Sequence, residues 1–173
     1  IVTGIGTVLA DDPALTVRDR TLDLGGRAPL RVVLDSRGRF EPGLRLARDG
    51  LPTLVFGSDT GAHSPVHLTA AEPAALRFEL MPADSAGRID LNAMLRRLAA
   101  LECNEALVEA GPRLAGSFLA AGLADEIVLY VAPTVLGDTA RPAFVLPQPL
   151  RALAERPQYS YHDVRQVGPD LRL

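Results

Sequence analysis

The sequence contains no lysine: all 18 of its basic residues are arginine. A lysine Schiff base and a lysine general base are therefore excluded. There is a single cysteine, Cys103, which excludes an internal disulfide and a multi-cysteine metal site and fits a reducing cytoplasm. No apolar run approaches the roughly 18 residues that a membrane span requires, and Ile1 onward lacks the charged-then-apolar pattern of a secretory signal. The net charge of −3 gives no electrostatic ground for binding nucleic acid or an anionic membrane. His63 and His67 are spaced as metal ligands on a helix, but Pro65 lies between them. They read as surface histidines, and no metal is expected.

What is present is ordinary globular material: 173 residues, 47% hydrophobic and 23% charged. Residues 1–173 are expected to form one domain with its own core. The chain is organised around Val108–Glu126. Ala106-Leu107-Val108 reads as a buried strand with Glu109 at its carboxyl end. Gly111-Pro112 then turns into a helix, since proline suits a first helical position. Leu114, Ala115, Phe118 and Leu119 share one face of that helix, and Gly122 ends it as a left-handed cap. A second strand, Ile127–Val131, follows. Such a strand–turn–helix–strand unit presents free N–H groups at a helix start, which suits a phosphate or diphosphate. Without a G-x-G-x-x-G fingerprint, an ordinary crossover with a turn glycine reads as well.

The other elements follow from pattern. Strands are expected at Ile1–Thr3, Leu30–Leu34, Thr53–Phe56 and Leu76–Leu80. Gly4–Thr7 reads as a flexible turn and Val8–Arg18 as a structured loop, because Asp12 precedes Pro13. In that loop Asp11 or Asp12 is placed to cap a short helix, and Arg18 to grip a phosphate. Arg20–Ala28 is polar and exposed. Asp35–Arg39 forms a loop at a strand's carboxyl end, where ligands of open α/β sheets sit; Ser36 with Arg37 and Arg39 suits a phosphate there, and a plain exposed turn suits the spacing equally. Gly57–Gly61 is turn material. Asp90 caps a helix over Leu91–Leu101, whose Leu91, Met94, Leu95, Leu98 and Leu101 line one face. Tyr159–Val167 and Leu171–Leu173 form a hairpin about Gly168-Pro169-Asp170.

Three stretches together resemble the reductase domain of the bifunctional riboflavin-biosynthesis deaminase–reductase of bacteria: TGIGTVLADDPALTVR from Thr3, VLDSRGR from Val33, and VEAGPRLAGSFLAAGLADEIVLYVAPTVLGD from Val108. The terminal HDVRQVGPDLRL is similar as well. The resemblance implies an α/β, dihydrofolate-reductase-like fold: a mixed, mostly parallel sheet flanked by helices, with a C-terminal antiparallel hairpin. It implies NADPH as cofactor, hydride transfer to the ribosyl C1 of 5-amino-6-(5-phosphoribosylamino)uracil, and a cytoplasmic homodimer. The family's cofactor contacts fall on Thr7, Asp11, Ser36 and the run Gly111, Pro112, Arg113, Leu114, Ala115, Gly116 and Ser117. Its substrate contacts fall on Leu15, Arg18 and Glu109, with Glu109 the residue nearest to a catalytic role. The family's domain ordinarily starts one strand and one helix ahead of Ile1. The histidine–glutamate pair and P-C-x-x-C of its deaminase domain are not in this sequence. Two other readings compete: a related pyrimidine or pterin reductase on the same fold, and a non-catalytic dimerising module.

Overall fold

Five consecutive buried residues form β2 (Arg31–Asp35), the signature of a strand covered on both faces. A computed structural model describes residues 1–19, 21–60 and 75–173 and places β2 inside a parallel sheet of order β1-β2-β3-β4. β1 is Val2–Gly4, β3 Thr53–Ser58 and β4 Leu76–Met81. The register pairs Thr3 with Val33, Val33 with Val55, and Val55 with Phe78. Beyond β1 the sheet is extended by one parallel bridge, Val2 to Val108. There the Val2 N–H donates to the Leu107 carbonyl at 2.7 Å, and the Glu109 N–H donates to the Val2 carbonyl at 2.9 Å. The expected strand at Ala106–Glu109 is reduced to this bridge. His63, His67 and Arg20 lie outside the described residues.

The expected turn at Gly4–Thr7 is instead the start of a helix, α1 (Ile5–Asp11). Gly6 disfavours a helix locally by on the order of 1 kcal/mol. Ile5 and Val8, one turn apart, are both buried in the core beside Val33 and Val55. Each such burial stabilises by roughly 1.5–3 kcal/mol, so packing wins over propensity. The helix stops at Asp12, in the left-handed region at φ 39, because Pro13 disfavours further helical turns. Asp12 then caps as well as stops: its Oδ1 accepts the N–H of Arg45 at 2.8 Å, the first residue of the short helix α2 (Arg45–Arg48). The rest of this core is Leu15, Phe40, Leu46, Ala47 and Leu76, with Phe40 edge-on to Phe78. Gly57 and Ser58, expected as turn material, stay in β3 because β4 pairs with them through Leu80 and Met81.

The helix α3 (Leu91–Ala100) forms as its pattern predicts, and buries Met94 and Leu98. The Asp90 carboxylate accepts the N–H groups of Asn92 and Ala93 at its start.

The chain divides into two compact units, Ile1–Gly111 and Pro112–Leu173. In the second, α4 (Pro112–Ala120) buries Gly116 and Phe118, and Gly122 follows at φ +63 as a left-handed cap. A three-stranded antiparallel sheet of order β5-β7-β6 completes this unit. β5 is Tyr130–Val131, β6 Arg165–Val167 and β7 Asp170–Arg172. Val167 pairs with Asp170, leaving a two-residue turn. Its first residue, Gly168, has the positive φ of 59 that a type II′ hairpin requires. The strands over Ile127–Val131 and Tyr159–Val167 are shorter than expected, since β7 offers only three residues to pair with. Val108 and β5 also belong to different sheets, so the expected strand–helix–strand unit is not a crossover within one sheet.

Candidate active site

Parallel strands share one carboxyl edge, the usual place for a ligand in an open α/β sheet. In the Ile1–Gly111 unit, three neighbouring chain segments end there: Val108, β1 and β2. Adjacent segments are about 4.8 Å apart. After Val108 come Glu109, Ala110 and Gly111; after β1 comes α1; after β2 comes Ser36.

One hydroxyl ties two of these ends together, and a second ties the third to a remote segment. Thr7 Oγ1 accepts the Gly111 N–H at 3.2 Å. Ser36 Oγ accepts the Ile89 N–H at 3.2 Å, from the chain that leads into α3. Thr7 and Asp11 are one turn apart on α1 and so lie on one face of that helix. Gly111, Thr7 and Asp11 therefore form a strip leading from the sheet edge along α1. Asp11 and Glu109 are exposed. The α1 N-terminus has no side-chain cap, and nothing stands within 4 Å of where a Gly6 Cβ would be.

The Ser36 loop is anchored from below. Asp35 is 2% exposed. Its Oδ2 accepts the Phe40 N–H at 2.7 Å; Oδ1 has no partner among the described residues. The Gly38 N–H donates to the Asp35 carbonyl at 3.3 Å, closing a turn that Gly38 permits with its φ of 63. This leaves Arg37 and Arg39 exposed on the loop.

Leu15 and Arg18 are held by other bonds. Leu15 has φ 49 and is buried to 7% exposure. A non-glycine residue in that conformation costs on the order of 1–3 kcal/mol and persists where its surroundings over-determine it. Here the surroundings are the core around its side chain and the buried Arg31 beneath the preceding peptide. Arg31, at the amino end of β2, is 1% exposed. Its Nη1 donates to Ala14 O at 3.1 Å and to Asp49 Oδ2 at 2.5 Å. Its Nη2 donates to Asp49 Oδ1 at 2.6 Å, Leu51 O at 2.9 Å and Thr53 Oγ1 at 2.7 Å. Arg18 is exposed.

Pro112, Arg113, Leu114, Ala115, Gly116 and Ser117 form the first two turns of α4. Within them Gly116 is buried, and an added Cβ would stand 2.0 Å from Val145 O; its contact is with protein backbone. Ser117 Oγ donates to Arg113 O at 3.0 Å, a bond back along its own helix.

Sequence pattern did not single out Arg31. Its signal is a lone charge inside an otherwise apolar strand, which must find an acceptor when buried. It has a measurable consequence. The Arg31 hydrogen bonds, the largest influence, hold the Asp49 carboxyl below its usual range against an opposing desolvation. A carboxylate depressed in the folded state adds stability above its unfolded pKa, about 3.9. That stability is lost as pH falls through the lower folded value. Glu79, hydrogen-bonded by Arg97, is shifted the same way, but that pair is too exposed to contribute much. We expect stability to fall below about pH 4, and Asp49→Asn to flatten that fall in urea melts run across the acid range. An unchanged slope contradicts the assignment.

The whole chain, residues 1–173, matches the family described as the RibD C-terminal domain. The chain belongs to that family. It is 38% identical over 182 residues to the riboflavin biosynthesis protein RibD of Escherichia coli K12, covering 100% of this chain and 47% of that protein. It is 28% identical to a protein of Buchnera aphidicola from Acyrthosiphon pisum named 5-amino-6-(5-phosphoribosylamino)uracil reductase, covering 100% of this chain and 84% of the other. Among solved structures, Acinetobacter baumannii RibD superposes with a TM-score of 0.80 at 32% identity, over 99% of this chain and 44% of that one. The chain thus spans about half the length of both RibD proteins, and the Acinetobacter baumannii structure shares its mixed α/β fold.

Proposed function

We propose that this chain reduces the ribosyl group of 5-amino-6-(5-phosphoribosylamino)uracil to the ribityl form, with NADPH as reductant. The observation that carries the reading is the family match along the entire chain, supported by a relative that bears this activity in its name. The cofactor supplies a hydride for the ribosyl C1, and one proton from solvent completes the ring-opened alcohol. The chain's own residues bind and orient. The strip Gly111–Thr7–Asp11 and the Ser36 hydroxyl line the carboxyl edge of the sheet, where polar backbone and hydroxyl groups fit a dinucleotide. Taken by itself, the start of α4, from Pro112 to Ser117, offers helix N–H groups of the kind that suit a diphosphate. Leu15, through its backbone, and Arg18 take the substrate phosphate, and Glu109 meets the sugar as positive charge develops on C1. Holding hydride donor and acceptor in line is itself a large share of such catalysis.

The exposed Arg37 and Arg39 are assigned the extra phosphate of NADPH, which a guanidinium grips with two hydrogen bonds. Replacing both by alanine should raise the KM for NADPH at least about tenfold and leave that for NADH within about twofold. Steady-state assays with each cofactor check this; an unchanged preference rejects the assignment. In the second unit, Val131 and Leu171 are paired neighbours on one face of the small sheet and both are exposed. This apolar surface is assigned to a second copy of the chain, in a cytoplasmic homodimer.

The reading is tested by NADPH oxidation in the presence of the aminouracil ribosyl phosphate, with dihydrofolate as the competing substrate. Turnover confined to the ribosyl phosphate supports it. Turnover of dihydrofolate alone transfers the fold to a pterin reductase, and loss of NADPH binding leaves a non-catalytic module.

A further inference from the structure

We infer that Arg31 is a positioning residue for substrate binding: it aims the Leu15 N–H by holding the other end of the same peptide group. This rests on the proposed reading of Leu15 and Arg18 as the phosphate-binding pair. The chain contains no cis peptide among its described residues, and in a trans peptide the carbonyl and the N–H point to opposite sides of the chain. Arg31 Nη1 fixes the Ala14 carbonyl at 3.1 Å. The Leu15 N–H therefore points away from the buried guanidinium, and it meets no acceptor among the described residues. An open N–H on a residue held at φ 49 is a donor kept in place for something that is not part of the local fold.

The loop is pinned on both sides of that donor. Asp12 Oδ1 accepts the Arg45 N–H at 2.8 Å before it, and the Leu15 side chain is buried in the core after it. Neither bond fixes the rotation of the Ala14–Leu15 peptide. Among the described residues only Arg31 hydrogen-bonds its carbonyl, and Arg31 is itself fixed by two oxygens of Asp49 and by Leu51 and Thr53. Lysine carries the charge but cannot make a forked bond to Asp49 and still reach Ala14.

The test is steady-state kinetics on the full chain as its gene encodes it, with NADPH and the aminouracil ribosyl phosphate. Arg31→Lys should raise the KM for the phosphorylated substrate about tenfold or more, the loss expected when a bond to a charged group goes. The KM for NADPH and that for the dephosphorylated substrate should stay within about twofold. Asp49→Asn should show the same split with a smaller rise, and it decides the matter if Arg31→Lys does not fold. All constants rising together, none rising, or both variants failing to fold would make Arg31 a support of the fold at large and overturn the inference. Arg18→Ala separates this from the reading beneath it. If that variant leaves the KM for the phosphorylated substrate unchanged, the phosphate assignment fails whatever the Arg31 variants do.

Discussion

Arg31→Met should lower the stability of the Ile1–Gly111 unit by about 2–4 kcal/mol, the usual result of removing the hydrogen bonds of a buried charged group. For a unit of this size that is a fall in Tm on the order of 10–30 °C. Arg31 is 1% exposed, while the Asp49 side chain is 24% exposed and reaches water, so the loss comes from the emptied guanidinium site more than from the carboxylate. Methionine fills most of the stem's volume but donates nothing. The Ala14 carbonyl loses its bond to Nη1, and an acceptor left empty away from water costs about 1–3 kcal/mol; Leu51 O loses Nη2 but keeps the Thr53 hydroxyl. Thr53 Oγ1 suffers less, because it also donates to backbone carbonyls at Leu46 and Leu51. Adding Asp49→Leu removes a carboxylate that already reaches water and should recover little of the loss, since the Ala14 carbonyl stays orphaned. Thermal and urea melts of both variants check this; a single variant within about 1 kcal/mol of the parent contradicts the buried network.

Gly116→Val should be the most damaging single change in the Pro112–Leu173 unit. An added Cβ meets Val145 O at 2.0 Å, its carbon at 2.5 Å and its nitrogen at 3.0 Å. These are backbone atoms, which cannot turn aside as a side-chain tip can. Val145 is held where it is by its N–H, which donates to Pro112 O at 2.9 Å. Overpacking costs about 1–3 kcal/mol where neighbours can shift; here the whole 145 segment must leave α4, so the expected loss is at the top of that range or above it. Gly122→Asn is the control. Its Cβ meets nothing within 4 Å, and asparagine tolerates a left-handed cap, so it should cost under about 1 kcal/mol. Limited proteolysis after Val145 and melts of both variants measure the difference. Equal stability in the two would mean that the helix does not sit on that segment.

The sequence was legible where one face dictated the pattern. β2 and β3 are apolar runs and β4 alternates apolar with charged residues, and all three form within a residue or two of their expected ends. Asp90 caps α3 because its side chain can reach two free N–H groups, and that chemistry is local. α1 was not legible, because Gly4 and Gly6 signal a turn and only the distant Val33 and Val55 supply the core that makes a helix worthwhile. The strands of the small sheet were overestimated for a related reason: an apolar run shows that a segment can be a strand, but the length of its partner decides how much of it pairs.

The candidate site divides in the same manner. Ser36 stands where expected, just after β2, while Thr7 lies in a helix and not in the expected turn; each is engaged by a backbone N–H from a remote segment. Gly116 is a glycine within a plausible phosphate motif whose space is taken by Val145. Arg31 is the reverse case. Nothing in its neighbourhood along the chain forecasts a bond to the carbonyl before Leu15, because the contact joins residues 17 apart through a buried guanidinium.

The most direct measurement follows the hydride itself. The full chain is incubated with NADPH deuterated at nicotinamide C4, one face at a time, and the aminouracil ribosyl phosphate. The product is then read by mass spectrometry and proton NMR. A reductase of this kind places one deuterium on the ribityl C1 from one face of the cofactor and none from the other. Oxidised cofactor with no deuterium at C1, or a ribosyl group recovered intact, would contradict it.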